Sequence, residues 1–139
     1  MNTTLDWLVG RVVTDVSLDD QGQQWLLVFG DDSRLSLACP WQIIAKGRVS
    51  LASGDHGQQY GLPAPIDASA RATELLGGRA IEKVSVDQAS ADLRIEFAGA
   101  VQIRTFNDSS GYEAWTLTGP KGDLYVAQGG GNVVILPAK

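Results

Sequence analysis

Apolar and polar residues alternate along most of the chain. Val12, Thr14, Val16 and Leu18 share one side of an extended segment, as do Trp25, Leu27 and Phe29, and then Leu35 and Leu37. Farther on, Leu93, Ile95 and Phe97 face one way while Arg94 and Glu96 face the other. A period of two is the signature of strands with one buried side, which predicts antiparallel sheet. The interruptions Asp19-Asp20-Gln21-Gly22, Gly30-Asp31-Asp32-Ser33, Ala98-Gly99-Ala100 and Gly119-Pro120-Lys121-Gly122 have turn chemistry, so neighbouring strands should form hairpins. Two stretches read as short helices. Asp67 can cap Ala68 to Leu76, with Gly77-Gly78 ending that helix in the left-handed manner, and a shorter turn spans Thr4 to Val9.

The same pattern occurs twice. Laying Gly10 on Gly78 also places Leu8, Arg11, Val16, Ser17, Asp19 and Phe29 on Leu76, Arg79, Val84, Ser85, Asp87 and Phe97. These are 7 identities in 22 ungapped positions, where ordinary composition gives about one or two. After an insertion in the second copy, Trp41 meets Trp115 and Lys46-Gly47 meets Lys121-Gly122. The expectation is a single domain over 1–139 with internal repeats 4–54 and 67–136 and a linker 55–66. Each repeat should be an antiparallel β-meander of about four or five strands. A lone meander cannot cover its apolar face. The fold class is therefore mainly β, a β-rich α+β chain in which two tandem pseudo-symmetric repeats pack as a sandwich or partly open barrel with two short helices.

Differences between the copies single out surface positions. Leu26 and Val28 stand where the second copy has Arg94 and Glu96, so the strand Trp25 to Phe29 is apolar on both sides. The helix after Asp67 or the segment Val133 to Leu136 is expected to cover it. The alternative is a self-association face at Leu26 and Val28. The insertion Asn107 to Glu113 brings Asp108, Tyr112 and Glu113 onto one loop, where they could form an acidic, aromatic rim. Tyr112 and Trp115 are alternatively core residues of a strand, and Trp115 is expected to be one because Trp41 holds the matching place.

Charge and composition narrow the partners. There are 16 Asp and Glu against 11 Lys and Arg, for a net charge of -5, the wrong sign for a phosphate backbone, so no nucleic-acid partner is expected. No run of residues is apolar enough to span a bilayer, and the first residues have neither the basic nor the apolar segment of a secretory signal, so the expectation is a cytoplasmic protein with no membrane partner. A single cysteine, Cys39, forms no internal disulfide and reads as a small buried residue.

The parts of familiar enzymes are missing from the sequence. His56 is the one histidine, in the turn Gly54-Asp55-His56-Gly57, with no Gly-x-Ser-x-Gly elbow to pair with it. One histidine and one cysteine do not make a zinc site, and no calcium-loop pattern occurs. Gly129-Gly130-Gly131 has no following Lys-Ser/Thr and precedes a strand, so it is read as a turn. No cofactor, no metal and no catalytic residue are expected, and the protein is expected not to be an enzyme.

The motifs Gly10-Arg11, Cys39-Pro40-Trp41 and Gly111-Tyr112-Glu113-Ala114-Trp115-x-Leu117-x-Gly119-Pro120-x-Gly122 resemble a small bacterial domain family of unknown function across nearly the whole chain. Such families are similar in size, acidity and cytosolic placement to the immunity proteins of bacterial polymorphic toxin systems. That resemblance implies a non-enzymatic protein that neutralises a cognate protein toxin with a basic surface by occluding its active site. The partner-binding residues expected from charge and position are Asp31, Asp32, Asp55, Asp108, Tyr112 and Glu113. The alternatives are a small-molecule or peptide-binding domain using space between the repeats around Trp25, Trp41 and Trp115, and a dimeric structural module.

Overall fold

The computed structural model describes residues 5–138. Strands β1 (Val13–Leu18), β2 (Trp25–Phe29), β3 (Arg34–Leu37), β4 (Trp41–Ala45) and β5 (Arg48–Ala52) precede the helix α1 (Ala68–Leu76). Strands β6 (Ile81–Val86), β7 (Leu93–Phe97), β8 (Val101–Thr105), β9 (Trp115–Thr118), β10 (Leu124–Ala127) and β11 (Val133–Leu136) follow it. Short 3-10 turns lie at Asp6–Leu8 and Ser53–Asp55. The expected N-terminal helix is thus a single 3-10 turn; Thr4, the expected start of both that helix and the first repeat, lies outside the described residues.

All pairings within the two sheets are antiparallel. One sheet has the order β1-β2-β3-β9-β10-β11 and the other β5-β4-β8-β7-β6. They are open sheets facing each other over one apolar core, and neither closes into a barrel. Inward positions such as Leu27, Phe29, Leu35, Ile43, Ile95, Ile103 and Leu117 are almost fully buried, as alternation requires. Trp25 and Trp41, from opposite sheets, meet edge to face with ring centroids 5.2 Å apart, a favoured geometry for two aromatic quadrupoles.

The strands do not stay together as the two separate meanders expected. β1 to β3 lie in one sheet and β4 and β5 in the other, while β6 to β8 lie in the second sheet and β9 to β11 in the first. The chain changes sheets at residues 38–40 and again at 106–114. Alternation specifies the buried side of a strand and not its neighbour, and each crossing lets a strand cover apolar surface its own hairpin cannot reach. The pairings run in parallel through the two halves. Val13 pairs with Phe29 and Val16 with Leu27, with a register shift between Val13 and Asp15. Ile81 pairs with Phe97 and Val84 with Ile95, with the shift between Ile81 and Lys83.

Asp67 caps α1 as its position predicts, accepting the Ala70 N–H at 3.1 Å. The left-handed residue at the other end is Gly78, at φ +75, because the Gly77 N–H first closes the helix on the Thr73 carbonyl at 2.8 Å. The helix seals one open side of the sandwich against β1, β4 and β5. On the other side the 3-10 turn at Asp6–Leu8 lies along β6, and Trp7 sits 6.2 Å from Tyr125 of β10. β2 therefore does not gain the cover expected for it. β11 pairs with β10 at the far edge of the same sheet, and Leu26 and Val28 are half-buried among their neighbours on β1 and β3.

Candidate functional site

The insertion before β9 is held from below along its length. The Asn107 N–H donates to Asp92 Oδ1 at 2.6 Å, and the Asn107 side chain donates to the Ser90 carbonyl at 3.0 Å. Asn107 Oδ1 then accepts the Ser109 N–H, and Ser109 Oγ accepts the N–H groups of Gly111 and Tyr112. The Gly130 N–H reaches the Ser109 carbonyl, and the Ala114 N–H reaches the Ala127 carbonyl at 2.9 Å. These are the local side-chain-to-backbone bonds at which Asn and Ser excel, and they turn a connection into a fixed platform.

Glycines make the platform possible. A Cβ on Gly129 would lie 2.4 Å from the Gly111 carbonyl carbon, and one on Gly131 would lie 2.1 Å from the Ala89 oxygen. The Gly129-Gly130-Gly131 run is indeed a turn, and it is also the bed against which the loop and the Asp87 turn are packed. Beneath the loop, Trp115 is 1% exposed and its Nε1–H donates to the Ala91 carbonyl at 2.9 Å, so Trp115 is core.

On the upper side of this platform, Asp108, Tyr112 and Glu113 line a groove of about 870 Å³ with Gln23, Gln24, Ser36 and Thr116. Tyr112 is 85% exposed, so it is the one member of the expected core-or-rim pair that lies at the surface. Nothing in the sequence pointed to Gln23, Gln24, Ser36 or Thr116. The pairing of β3 with β9 sets Ser36 opposite Thr116, and Gln24 joins them by accepting the Ser36 hydroxyl at 2.7 Å.

The remaining candidates lie elsewhere. Asp31 is beyond the far end of β2 from Gln24, and it is engaged: Arg11 Nε donates to its Oδ2 at 2.7 Å, and the Ser33 hydroxyl and N–H both donate to its Oδ1. Partial burial pushes the Asp31 carboxyl up, but the Ser33 hydroxyl, Arg11 and the Ser33 N–H outweigh it and hold the pKa at about 2. Asp32 is exposed at the tip of that turn with φ 67. Asp55 is tied to the Ala52 N–H at 2.9 Å and the Tyr60 hydroxyl at 3.0 Å. The six residues thus form one cluster of three and separate turns.

His56 accepts the Ala68 N–H at Nδ1, 3.1 Å away, and meets the Trp25 ring edge on at 5.5 Å. It is a second cap of α1. Cys39 is buried, and burial pushes its thiol up to about 11, far from a reactive thiolate. No group of metal-ligating side chains is found among the described residues, and none of their helices is long and apolar enough to cross a membrane.

Fold and surface together define an antiparallel two-sheet β domain that presents a fixed acidic and aromatic groove on one outer face. The chain belongs to a family of unknown function, DUF6188, whose pattern it matches over residues 4–137. No curated protein and no solved structure matches it.

Proposed function

We propose that the protein is a non-enzymatic binding protein that docks a partner with a basic surface in the groove of Asp108, Tyr112 and Glu113. The partner of this reading is a bacterial toxin, held in the cytoplasm with its active site covered, which makes the chain an immunity protein. The observation that carries the docking reading is Tyr112: a large aromatic residue left 85% exposed on a loop fixed by hydrogen bonds at Asn107 and Ser109. A rigid aromatic beside carboxylates loses little conformational entropy on binding and supplies buried area, while the charges speed encounter. The net charge of -5 acts in the same direction.

The same proposal takes the chain as a tandem duplication of repeats 4–54 and 67–136. The matched pairings of β1 with β2 and of β6 with β7, down to the position of the register shift, support it. A ligand site between the repeats has less support, because Trp25 and Trp41 pack on each other in the core. Self-association through Leu26 and Val28 also has little support, since both are half-buried.

The test is binding to the product of the neighbouring gene, with growth rescue on co-expression. Tyr112→Ala should weaken the complex about tenfold or more through faster dissociation. Asp108→Asn with Glu113→Gln should slow association and flatten its salt dependence. Full affinity in the triple variant, or turnover of a substrate by the protein, would refute the reading.

A further inference from the structure

A second groove, of about 420 Å³, lies on the outer face of the five-stranded sheet, lined by Ser85, Asp87, Asp92, Arg94, Arg104 and Phe106. Arg94 and Arg104 face each other directly across β7 and β8, in a row running Ser85, Arg94, Arg104, Gln42. Like charges placed opposite one another on a sheet are destabilising. Nothing nearby neutralises them by pairing: among the described residues the one ion pair is Arg11 with Asp31. Arg104 gives one Nη2–H to Gln42 Oε1, while its Nε–H is buried with no acceptor. The fold does not need this arrangement, because the corresponding pair on β2 and β3 is Leu26 and Ser36.

We infer that this groove binds a small organic carboxylate with an apolar body, its carboxylate held between Arg94 and Arg104. Guanidinium groups offer forked donors that match the two oxygens of a carboxylate, and the volume suits a small molecule. Phe106, 38% exposed with its ring 6.0 Å from the Arg104 guanidinium carbon, supplies the apolar wall. Asp87 and Asp92 set the charge limit. The N–H groups of Ala89 and Ser90 donate to the Asp87 carboxylate and hold its pKa below the ordinary value, and Asp92 Oδ1 accepts the Asn107 N–H at the same end of the groove. Those charges disfavour a phosphate dianion and admit a single carboxylate. The inference uses residues separate from Asp108, Tyr112 and Glu113 and stands apart from the docking proposal.

The experiment follows the arginine Nε–Hε resonances of the labelled full chain during titration with benzoate, with acetate and inorganic phosphate as parallel arms. Saturable shifts at Arg94 and Arg104, with benzoate binding tighter than either control, are the expected result. Arg94→Leu, which installs the residue of the other half, should keep the fold, raise the melting temperature and weaken benzoate about tenfold or more. Arg104→Gln gives the same loss by a second route should the leucine variant fail to fold. Unsaturated shifts into the tens of millimolar, equal affinity in either folded variant, or phosphate binding tighter than benzoate would overturn the inference.

Discussion

Each sheet carries a groove on its outer face beside the point where the chain leaves for the other sheet. Gln24, Ser36 and Ala38 contribute to one, and Asp92, Arg104 and Phe106 hold the corresponding places in the other. The first is completed by the long crossing at 106–114, which adds Asp108, Tyr112 and Glu113; the second is bordered by two arginines and an aromatic ring. Inward residues hold the strands in the same register in both halves, whereas outward residues are free to differ because water satisfies whichever polar group is there. One scaffold position thus presents carboxylates and a tyrosine in one half, and two arginines with two aspartates in the other. Similar strand frameworks fix where a groove lies and leave its chemistry open.

The most destabilising variant should be one at the glycine run where it packs on the turn at 87–90, the turn that in its own right holds Asn107. A methyl at Gly131 would approach the Ala89 oxygen to 2.1 Å, and the residue sits at φ +109. Both backbone strain and a collision with main chain follow, so Gly131→Ala should cost about 3 kcal/mol or more. Gly47, in the β4–β5 hairpin, is at φ +78 with nothing within 4 Å of its would-be Cβ. Gly47→Ala should cost only about 1 kcal/mol. Urea melts of both variants measure the contrast. Equal losses would mean that the turn at 129–131 is not packed tightly on the turn at 87–90.

A smaller effect separates the two tryptophans that open β4 and β9. Each is almost fully buried. Trp115 donates its indole N–H to the Ala91 carbonyl, whereas the Trp41 indole N–H is buried without a partner. Trp115→Phe both shrinks a packed ring and strips the Ala91 carbonyl of a donor, for about 2–3 kcal/mol. Trp41→Phe loses similar volume but also removes an unsatisfied donor, so its cost should be about 1 kcal/mol or less. Thermal or chemical melts that rank the two in the other order would show that packing outweighs the hydrogen bond.

Much of the architecture was legible because it rests on local rules. Alternation marked the buried side of β2, β3 and β7, but in β1 the register shift between Val13 and Asp15 buries Val13 with Val16 and leaves Thr14, expected on the side of Val16, exposed; Asp67 followed by an alanine-rich stretch marked α1 and its cap. The exchange of strands between sheets was not legible, since the pairings of β3 with β9 and β8 with β4 join residues far apart in sequence and any apolar strand could satisfy the same pattern. The candidate site divides in the same way. Asp108, Tyr112 and Glu113 share an insertion and therefore a surface. Asp31 and Asp55 look the same in sequence as any turn aspartate, although one is held by Arg11 and Ser33 and the other by the Ala52 N–H and Tyr60. The facing of Arg94 with Arg104 depends on register, which composition does not encode.

The smallest effect compares the two arginines that follow Gly10 and Gly78. Arg11 pairs with Asp31, while Arg79 donates to the carbonyls of Leu75 at 2.8 Å and Ala98 at 3.0 Å. Gly99 stands where the first half has Asp31, and a Cβ there would lie 2.2 Å from the Arg79 Nη1, so the guanidinium has taken the space of the side chain. Carbonyls carry no titrating proton; the Asp31 carboxylate does, and it titrates in acid. Its folded pKa of about 2 is below its ordinary value of 3.8, so the ion pair and its hydrogen bonds stabilise the fold fully above about pH 4 and lose that contribution as pH falls toward 2. With both side chains partly exposed, at 34% and 27%, the contribution is about 1–2 kcal/mol. Asp31→Asn should therefore lower stability by that amount at neutral pH and converge with the parent near pH 2. A gap between parent and variant that stays constant across this range would mean that Asp31 acts through the shape of its turn, as Gly99 does in the other half, and that its charge contributes nothing.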